Sequence, residues 1–301
     1  MKVLCLFSGG LDSLISTIWT RRQGFEVKAV YFKTPFLDRK IPEIFAEKYN
    51  IDLHVVELKD NYLDIVINPK YGWGKGANPC IDCHAMMITN AGKMLQLENA
   101  AFMVTGDVVG QRPMSQRKDT LKLIDKITGM SEITVRPLSG KILPKTTAEK
   151  MGWIKREELM DISGRGRKRQ MKIAQEYGIT EYNQSTGGCV LTERTYKNKI
   201  IDLIDNEQLT EENVKLLKIG RHFRTKNKTK IILGRNKMEN EELRKLTIKE
   251  DKLILPPQHK APVALIKSPY NQEDIKITEK LIDYYSIKTI HNDINKEIVR
   301  I

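Results

Sequence analysis

A short loop near the start of the sequence has the composition of an anion site. Ser-Gly-Gly-Leu-Asp-Ser, residues 8–13, follows the apolar run 2–7 and precedes a helical pattern. Adjacent glycines allow a tight turn, and the amides of such a turn, together with a helix start, bind phosphate well. The loop lacks the Gly-Lys-Ser/Thr ending of a Walker A motif and the spacing of a dinucleotide fingerprint. The stretch therefore predicts a phosphate or pyrophosphate site of another type.

Asp12 is the informative residue of this loop. A carboxylate beside a phosphate is repulsive unless a cation such as Mg²⁺ bridges the two groups. We therefore expect Asp12 to act on Mg²⁺–pyrophosphate, directly or through water. The alternative is that the glycines form an ordinary turn and that Asp12 is a first-turn acid, stabilised by the helix dipole.

The cysteines are the second set of residues that could carry chemistry. Cys80 and Cys83 lie three apart in Asn-Pro-Cys-Ile-Asp-Cys-His (78–84), and Cys189 ends Ser-Thr-Gly-Gly-Cys (185–189). A Cys-x-x-Cys pair brings two thiolates within reach of one metal centre. Cys5 lies inside an apolar run, so we expect it to be a small buried residue. A disulfide framework is not expected in a chain of this size without a signal peptide.

Alternating strands and helices must position these residues. The pattern predicts strands over 2–7, 25–32, 53–58 and 101–106, and one more within 133–140. It predicts helices from Leu11 towards Gly24 and over 38–49, 86–97, 116–127 and 167–177. Such alternation indicates an α/β fold with a parallel sheet, and ligands bind such sheets where strands lead into helices. The loop 8–13 lies at such a point.

The pattern changes after about residue 205. Strand-like runs at 213–224 and 228–236 flank a polar tip, a short helical pattern covers 238–246, and a longer one covers 271–285. We therefore predict two domains, an α/β domain over 1–205 and a smaller, basic α+β domain over 206–301.

Charge and composition limit the classes of function. The formal net charge is +13 and 40% of the 301 residues are hydrophobic, so the chain can form real cores and its charge favours a polyanionic partner such as nucleic acid. The sequence shows no run long and apolar enough for a transmembrane helix and no secretory signal pattern. We therefore expect a cytoplasmic protein with no membrane partner.

The loop 8–13 resembles the PP-loop of the N-type ATP pyrophosphatases, which have an adenine nucleotide alpha hydrolase-like fold. These enzymes split ATP between its α and β phosphates, transfer AMP to a carbonyl oxygen and release pyrophosphate. The resemblance implies that the ATP phosphates are held by Ser8, Gly9, Gly10, Asp12 and Ser13. It also implies that adenosine lies near the end of the second strand, at Tyr31 and Phe32, and near Gly106.

The cysteine segments resemble those of the tRNA-thiolating PP-loop enzymes, from which this sequence diverges. On the pattern of the 2-thiouridine synthases, Cys83 matches the nucleophile and Cys189 the persulfide-forming cysteine, whereas His84 and Asp107 replace the usual asparagine and histidine. Other members hold a [4Fe–4S] cluster with three cysteines, and Cys80, Cys83 and Cys189 fit that pattern. The resemblance thus implies Cys83, Cys189 and Asp12 as catalytic residues. A persulfide relay, and a structural zinc with His84 as a fourth ligand, stay open as alternatives.

Basic segments suggest where an RNA would bind. Six residues in two segments are candidates for phosphate contacts: Arg112, Arg117, Arg165, Arg167, Lys168 and Arg169. Solvated basic faces and helix capping are the alternatives. Parts of 212–240 resemble the NFACT-R-type RNA-binding domain. The resemblance to the tRNA-thiolating PP-loop enzymes predicts ATP, Mg²⁺ and a [4Fe–4S] cluster as cofactors. It also predicts tRNA as a partner and either sulfide or a cysteine-desulfurase-type protein as the sulfur donor.

The predicted activity is an ATP-dependent tRNA sulfurtransferase that replaces a uridine oxygen with sulfur. The sequence leaves open whether position 8 or position 34 of the tRNA is modified, whether the product is 2-thio or 4-thio, and whether the protein is a monomer or a homodimer. A PP-loop ligase that acts on a small molecule is one competing interpretation. A non-catalytic RNA-binding protein with a structural metal is another.

Overall fold

The chain folds into two compact units, Met1–Thr192 and Glu193–Ile301. The structure is a computed structural model that describes residues 1–37, 40–183, 189–256, 261–287 and 297–301. The division predicted from the sequence, after residue 205, falls at the end of the first helix of the second unit and stays a prediction. No helix in the described ranges has both the length and the apolar character needed to cross a membrane.

The first unit is built on a five-stranded parallel sheet, as the alternating pattern predicts. Its strand order is β3-β2-β1-β4-β5. The strands are β1 Lys2–Leu6, β2 Glu26–Lys33, β3 Leu53–Glu57, β4 Ala100–Val104 and β5 Thr134–Val135. The helices are α1 Leu11–Arg22, α2 Ile41–Lys48, α3 Asp60–Ile67, α4 Cys80–Leu97, α5 Lys118–Thr128, α6 Thr147–Lys150 and α7 Lys168–Glu176.

The strand order reverses between β1 and β4, which creates the crevice at which open α/β sheets bind ligands. Helix α1 follows β1 directly and buries Leu11, Leu14 and Ile15 against the sheet. It ends at Arg22, and Gly24 then adopts a positive φ of 85°, a conformation that favours glycine. The loop 8–13 is therefore fixed between a buried strand and a buried helix, at the mouth of the crevice.

Two elements of the first unit differ from the sequence prediction. Helix α3 was not predicted, because its pattern is only eight residues long. Helix α4 begins at Cys80, directly after Pro79 and before the predicted start at residue 86, and the acidic Asp82 in its first turn favours this earlier start. The earlier start places Cys80 and Cys83 on the first turn of a helix.

The second unit contains a five-stranded antiparallel sheet with the order β10-β6-β7-β9-β8. Its strands are β6 Arg221–Thr225, β7 Lys230–Leu233, β8 Lys252–Ile254, β9 Ala264–Ile266 and β10 Ile298–Arg300, and its helices are α8 Arg194–Asp205, α9 Glu211–Leu216, α10 Lys237–Leu246 and α11 Gln272–Ile287. The strand predicted over 213–224 is wrong in its first half, which forms α9 after Thr210 caps the helix.

Candidate functional site

One cavity of about 330 Å³ lies at the carboxyl ends of β1, β2 and β4. Its walls contain many of the residues predicted from the sequence: Ser8, Gly10, Asp12, Ser13, Phe32, Cys80, Cys83, Gly106, Arg112, Arg167 and Cys189. The loop 8–13 and the three cysteines, which are far apart in the sequence, therefore line the same space. Their individual roles stay predictions.

Hydrogen bonds fix the shape of the loop 8–13. The Ser13 hydroxyl donates to the Gly10 carbonyl at 2.9 Å and accepts from the Ser8 amide at 3.2 Å. Gly9 does not line the cavity, but it has a positive φ of 69°, and a Cβ there would lie 3.1 Å from the backbone of Ile41 and Pro42. The loop thus faces the cavity with its hydroxyl groups and the start of α1, as an anion site requires.

Gly106 contributes by its lack of a side chain. A Cβ at this position would lie 2.6 Å from the Ser13 amide nitrogen and 2.7 Å from the Asp12 carbonyl carbon. Only glycine lets the segment after β4 approach the first turn of α1 so closely. Gly106 therefore sets the width of the cavity next to the loop.

Asp12 is a half-buried residue whose carboxylate has one buried oxygen without a hydrogen-bond partner in the described part of the chain. Burial raises its pKa above the ordinary value, although a hydrogen bond from Gln111 and the charges of Arg167 and Arg112 act in the opposite direction. Its Oδ1 atom is buried and accepts no hydrogen bond from any residue that the structure describes. An unsatisfied carboxylate oxygen beside a phosphate loop is the ligand type that Mg²⁺ takes, so the residues present fit this ion.

The other end of the cavity is apolar. Phe32, Val30 and Leu6 line it from the strands, and Leu37 and Ile41 line it from the segment after β2. Such a wall suits a flat aromatic base, with few polar groups needed to orient it. The sequence resemblance predicts adenosine at Phe32, which lines this wall, and that role stays a prediction.

The start of α4 holds two of the cysteines. The Asn78 side-chain amide donates to Cys80 Sγ at 3.1 Å, and its carbonyl oxygen accepts from the Gly76 amide at 3.1 Å. Asp82 is buried and accepts from the amides of Lys70 and Tyr71, which ties the preceding loop to the helix. These contacts of Asn78 and Asp82 hold the start of α4 and the loop before it together.

Backbone contacts bring Cys189 to the same place. The Ala77 amide donates to the Leu191 carbonyl at 3.1 Å, and a Cβ on Gly76 would lie 2.2 Å from that carbonyl oxygen. The Gly187–Gly188 pair, which the sequence analysis singled out, lies outside the described residues. The glycine that allows this approach is Gly76, which sequence analysis missed although it lies in a glycine-rich stretch at 72–76.

Cys83 is a half-buried residue whose thiol lies beside a tyrosine. The Tyr62 hydroxyl donates to Cys83 Sγ at 3.3 Å. Burial raises the pKa of Cys83 to about 12, and it also raises the pKa of Tyr62 well above its usual value. Cys83 is therefore a neutral thiol at neutral pH unless a metal or another cation replaces its proton. Cys5 is fully buried in β1, as predicted.

The donor chemistry of the site fits an iron–sulfur cluster, because three thiols line one cavity. Within the described ranges, no three His, Cys, Asp or Glu side chains converge closely enough to hold a single metal ion. His84 contacts Asp107, with its Nε2 atom 3.1 Å from Oδ2. The zinc alternative with His84 as fourth ligand thus has little support in the geometry.

Asp107 anchors a buried polar network that sequence analysis did not identify as functional. Its carboxylate accepts hydrogen bonds from Thr105 at 2.7 Å, Gln116 at 3.0 Å and the Arg136 guanidinium at 3.3 Å. Burial opposes ionisation, but His84 and Arg136 hold the pKa of Asp107 well below its usual range. The sequence signals were its position directly after Gly106 and its replacement of the histidine that is usual in the related motif.

The basic residues predicted to contact RNA separate into two groups. Arg112 and Arg167 line the cavity, whereas the other four do not. Arg117 forms an ion pair with Asp119 at 3.2 Å, and Arg169 forms one with Asp161 at 2.5 Å. An RNA-binding role for all six residues stays a prediction.

Sequence comparison finds similarity to tRNA-specific 2-thiouridylases named MnmA. The relative from Sulfurimonas denitrificans is 32% identical over 120 residues, which are 36% of this chain and 35% of that protein. The one from Pseudomonas fluorescens is 25% identical and covers 65% of this chain and 54% of its own length. The relative from Shewanella amazonensis is 23% identical, and the alignment covers 97% of this chain and 87% of that protein. The chain thus spans about a third of the first relative, about half of the second and most of the third.

Two solved structures show weaker similarity. One is a 4-thiouridine synthetase–RNA complex with bound ATP, which is 21% identical and has a TM-score of 0.40. The alignment covers 71% of this chain and 53% of that chain. The other is a predicted subunit of a tRNA methyltransferase from Methanocaldococcus jannaschii, which is 19% identical and has a TM-score of 0.35. The alignment covers 46% of this chain and 70% of that chain. At such scores neither structure supports a statement about function.

Two family models match the chain. The NFACT protein RNA-binding domain matches residues 220–299, in the second unit, in agreement with the resemblance seen in the sequence. The model of the thiamine biosynthesis protein ThiI matches residues 1–163, which contain the loop 8–13, Cys80, Cys83 and Asp107. Because this match spans more than half of the 301 residues, the chain belongs to the ThiI family.

Proposed function

We propose that this protein is an ATP-dependent tRNA sulfurtransferase that adenylates a uridine carbonyl and replaces its oxygen with sulfur. The observation that carries the proposal is the shared cavity, in which the loop 8–13 and the thiols of Cys80, Cys83 and Cys189 face the same space. The names of the relatives, tRNA-specific 2-thiouridylases, support this reaction.

In this proposal ATP lies with its phosphates on the loop 8–13 and its base against Phe32. Asp12 holds Mg²⁺ through its unsatisfied oxygen, and the loop amides with Arg112 and Arg167 stabilise the charge that develops on pyrophosphate. The target uridine leaves its stack to enter the cavity, because its carbonyl is hard to reach inside a helix. Its oxygen attacks the α-phosphorus and pyrophosphate leaves.

The second step exchanges oxygen for sulfur. A sulfur nucleophile attacks the activated carbon and AMP leaves with the original oxygen. We propose that Cys80, Cys83 and Cys189 hold a [4Fe–4S] cluster, which when bound would supply an iron with an open position for sulfide. The spacing of Cys80 and Cys83 on the first turn of α4 supports this role, because it brings two thiols within reach of one metal centre. A persulfide on Cys189 is the alternative route.

Anaerobic purification with iron and sulfide assays separates the two routes. We expect iron and acid-labile sulfide in the wild-type protein and a large loss of both in Cys80→Ala. In the persulfide route, the wild-type protein contains neither, and Cys80→Ala retains sulfur transfer. The matched control is Cys5→Ala, because this cysteine is buried in β1 and lies outside the cavity.

The tRNA would dock on the second unit, which matches an RNA-binding domain, and on the basic segments near the cavity. Nucleoside mass spectrometry tests the reaction as a whole. The proposal predicts a thiolated uridine in tRNA treated with the protein, ATP, Mg²⁺ and sulfide. AMP formation on a small acid or base without thiolated nucleoside would instead indicate a PP-loop ligase.

A further inference from the structure

Two glutamine side chains connect the loop 8–13 to helix α7. The Nε2 atom of Gln111 donates a hydrogen bond to Asp12 Oδ2. The Nε2 atom of Gln170 in turn donates to Gln111 Oε1 at 3.1 Å. Gln170 lies in the first turn of α7 and is fully buried. Residues from three distant parts of the sequence thus form one line of hydrogen bonds that ends on Asp12, which we call the glutamine relay.

The glutamine relay has a direction, because each amide has a donor end and an acceptor end. Gln170 presents an N–H to Gln111, so the Gln111 oxygen faces Gln170 and the Gln111 nitrogen faces Asp12. That nitrogen occupies Oδ2 of the carboxylate. Oδ1 is the oxygen left without a partner among the described residues, and it is therefore the one available to a cation.

Backbone contacts hold both glutamines in place. The Gln111 amide donates to the Val108 carbonyl at 3.1 Å, and the Gly164 amide donates to the Val109 carbonyl at 2.7 Å. The second of these bonds joins the segment that carries Gln111 to the segment that leads into α7. Helix α7 is anchored by Ala174, which belongs to the same buried cluster as the apolar residues of α1. One packed core therefore supports both ends of the glutamine relay.

Gln170 occupies a position at which a polar side chain is costly. Its Oε1 atom is buried and accepts no hydrogen bond within the described part of the chain. A buried acceptor without a partner destabilises a fold, whereas an apolar side chain of the same length avoids that cost. The hydrogen bond that the Gln170 amide donates to Gln111 offers a reason for a polar residue here.

We propose that Gln111 and Gln170 are positioning residues, which hold the Asp12 carboxylate in the orientation that presents Oδ1 to the cation on the ATP phosphates. This inference rests on the proposed function, in which Asp12 binds Mg²⁺ together with ATP. A side chain that is free to rotate loses conformational entropy when it binds an ion. The glutamine relay removes that cost in advance, because it fixes the carboxylate before the ion arrives.

The effect of Mg²⁺ on ATP affinity tests this role without requiring catalysis. Calorimetric titration of the whole protein with ATP, in the absence of tRNA, gives one Kd with Mg²⁺ and another with EDTA. We expect Mg²⁺ to tighten binding in the wild type, because without the ion the Asp12 carboxylate repels the phosphates. Gln111→Met and Gln170→Met keep the length of the side chain but lack the N–H donor. In each variant the ratio of the two Kd values should fall by about five- to tenfold, which is the contribution of one hydrogen bond.

Three comparisons separate positioning from a general loss of structure. A disturbed fold weakens ATP binding with and without Mg²⁺, whereas loss of positioning should weaken it only with Mg²⁺. In the Asp12→Asn background, Gln111→Met should cause no further fall in the ratio, because the glutamine acts through the carboxylate. Gln175→Met, at an exposed position of α7, should keep the wild-type ratio. Thermal unfolding of each variant checks that the first unit stays folded.

The outcomes distinguish this inference from the proposed function. A wild-type ratio in Gln111→Met or Gln170→Met, or a further fall when Gln111→Met is added to Asp12→Asn, would overturn the positioning role. An effect of Mg²⁺ on ATP affinity that requires both glutamines, in a protein that forms no thiolated nucleoside, would retain the positioning role and reject the sulfurtransferase activity.

Discussion

At the scale of one residue, the proposed role of Asp12 in cation binding conflicts with the stability of the folded protein. A buried carboxylate with an unsatisfied oxygen costs folding free energy, and burial raises its pKa for the same reason. The cost is understandable if Asp12 is kept for a cation that binds with ATP.

The variant Asp12→Asn should therefore separate activity from stability. We expect tRNA-dependent AMP formation to fall by at least about 100-fold, because the amide is a poorer Mg²⁺ ligand than the carboxylate. We expect the thermal stability to rise slightly at neutral pH, because a buried charge has been removed. The exposed variant Asp119→Asn should change neither quantity.

The pH dependence of stability gives an independent check on Asp12. Its folded-state pKa is raised above the unfolded value, so the folded protein binds this proton more tightly. The resulting stability is fully present below the unfolded pKa and is lost as the pH rises through the folded pKa. Denaturation curves should show that Asp12→Asn lacks this loss. A difference between variant and wild type that does not change with pH would contradict the assignment.

At the scale of elements, close backbone contacts assemble the site. Gly106 lets the segment after β4 approach α1, and Gly76 lets the segment before α4 approach Leu191. Each contact joins stretches that are distant in sequence, and each would be blocked by a single methyl group. The width of the cavity and the position of Cys189 therefore depend on glycines rather than on reactive side chains.

Gly76→Ala should disturb the cysteine side of the cavity more than the ATP side. Its Cβ would lie 2.2 Å from the Leu191 carbonyl oxygen, so the 189–192 segment must move. We expect thiolation to fall at least about tenfold, with a loss of stability of about 1–3 kcal/mol, while ATP affinity stays near the wild-type value. Gly166→Ala is the matched control, because a Cβ there meets nothing within 4 Å. Equal thiolation by both variants would refute this role for Gly76.

The sequence predicted the parallel sheet and the place of the loop 8–13, because strand and helix periodicities are local properties. It did not predict the contact between Gly76 and Leu191, which joins residues more than a hundred positions apart. Asp107 was noted only as a departure from a motif, since only one of its four partners, Thr105, is close to it in the sequence. The first half of the run 213–224 was mistaken for a strand because its apolar residues fit either period over a short length.

At the scale of the whole molecule, the chain combines a unit that we propose to bind ATP with a unit that matches an RNA-binding domain. All described residues that line the cavity lie in the first unit, and the second unit matches an RNA-binding domain over residues 220–299. The net charge of +13 suits a polyanionic partner. We therefore expect phosphate contacts from the second unit to determine affinity for tRNA, while the cavity determines the reaction.

The turn between β6 and β7 provides a test of this division. Lys226 and Lys228 are exposed there, and no ion pair to them is found in the described part of the chain. Lys226→Gln should weaken binding equally for different tRNAs. It should also reduce the slope of log Kd against log salt concentration by about one, because about one fewer counterion is released on binding. Lys245→Gln should have a smaller effect, because Lys245 already pairs with Glu242 at 2.7 Å. The same salt dependence in wild type and Lys226→Gln would exclude this turn from the interface.

The most direct test of the account is the ratio of AMP to thiolated uridine in a single reaction. Protein purified without oxygen is mixed with unmodified tRNA, ATP, Mg²⁺ and sulfide, and both products are quantified. The account predicts one AMP for each thiolated uridine, and loss of thiolated uridine in Cys80→Ala, Cys83→Ala and Cys189→Ala. Thiolation without AMP, or thiolation that survives removal of these cysteines, would contradict a cavity in which ATP activation and sulfur delivery meet.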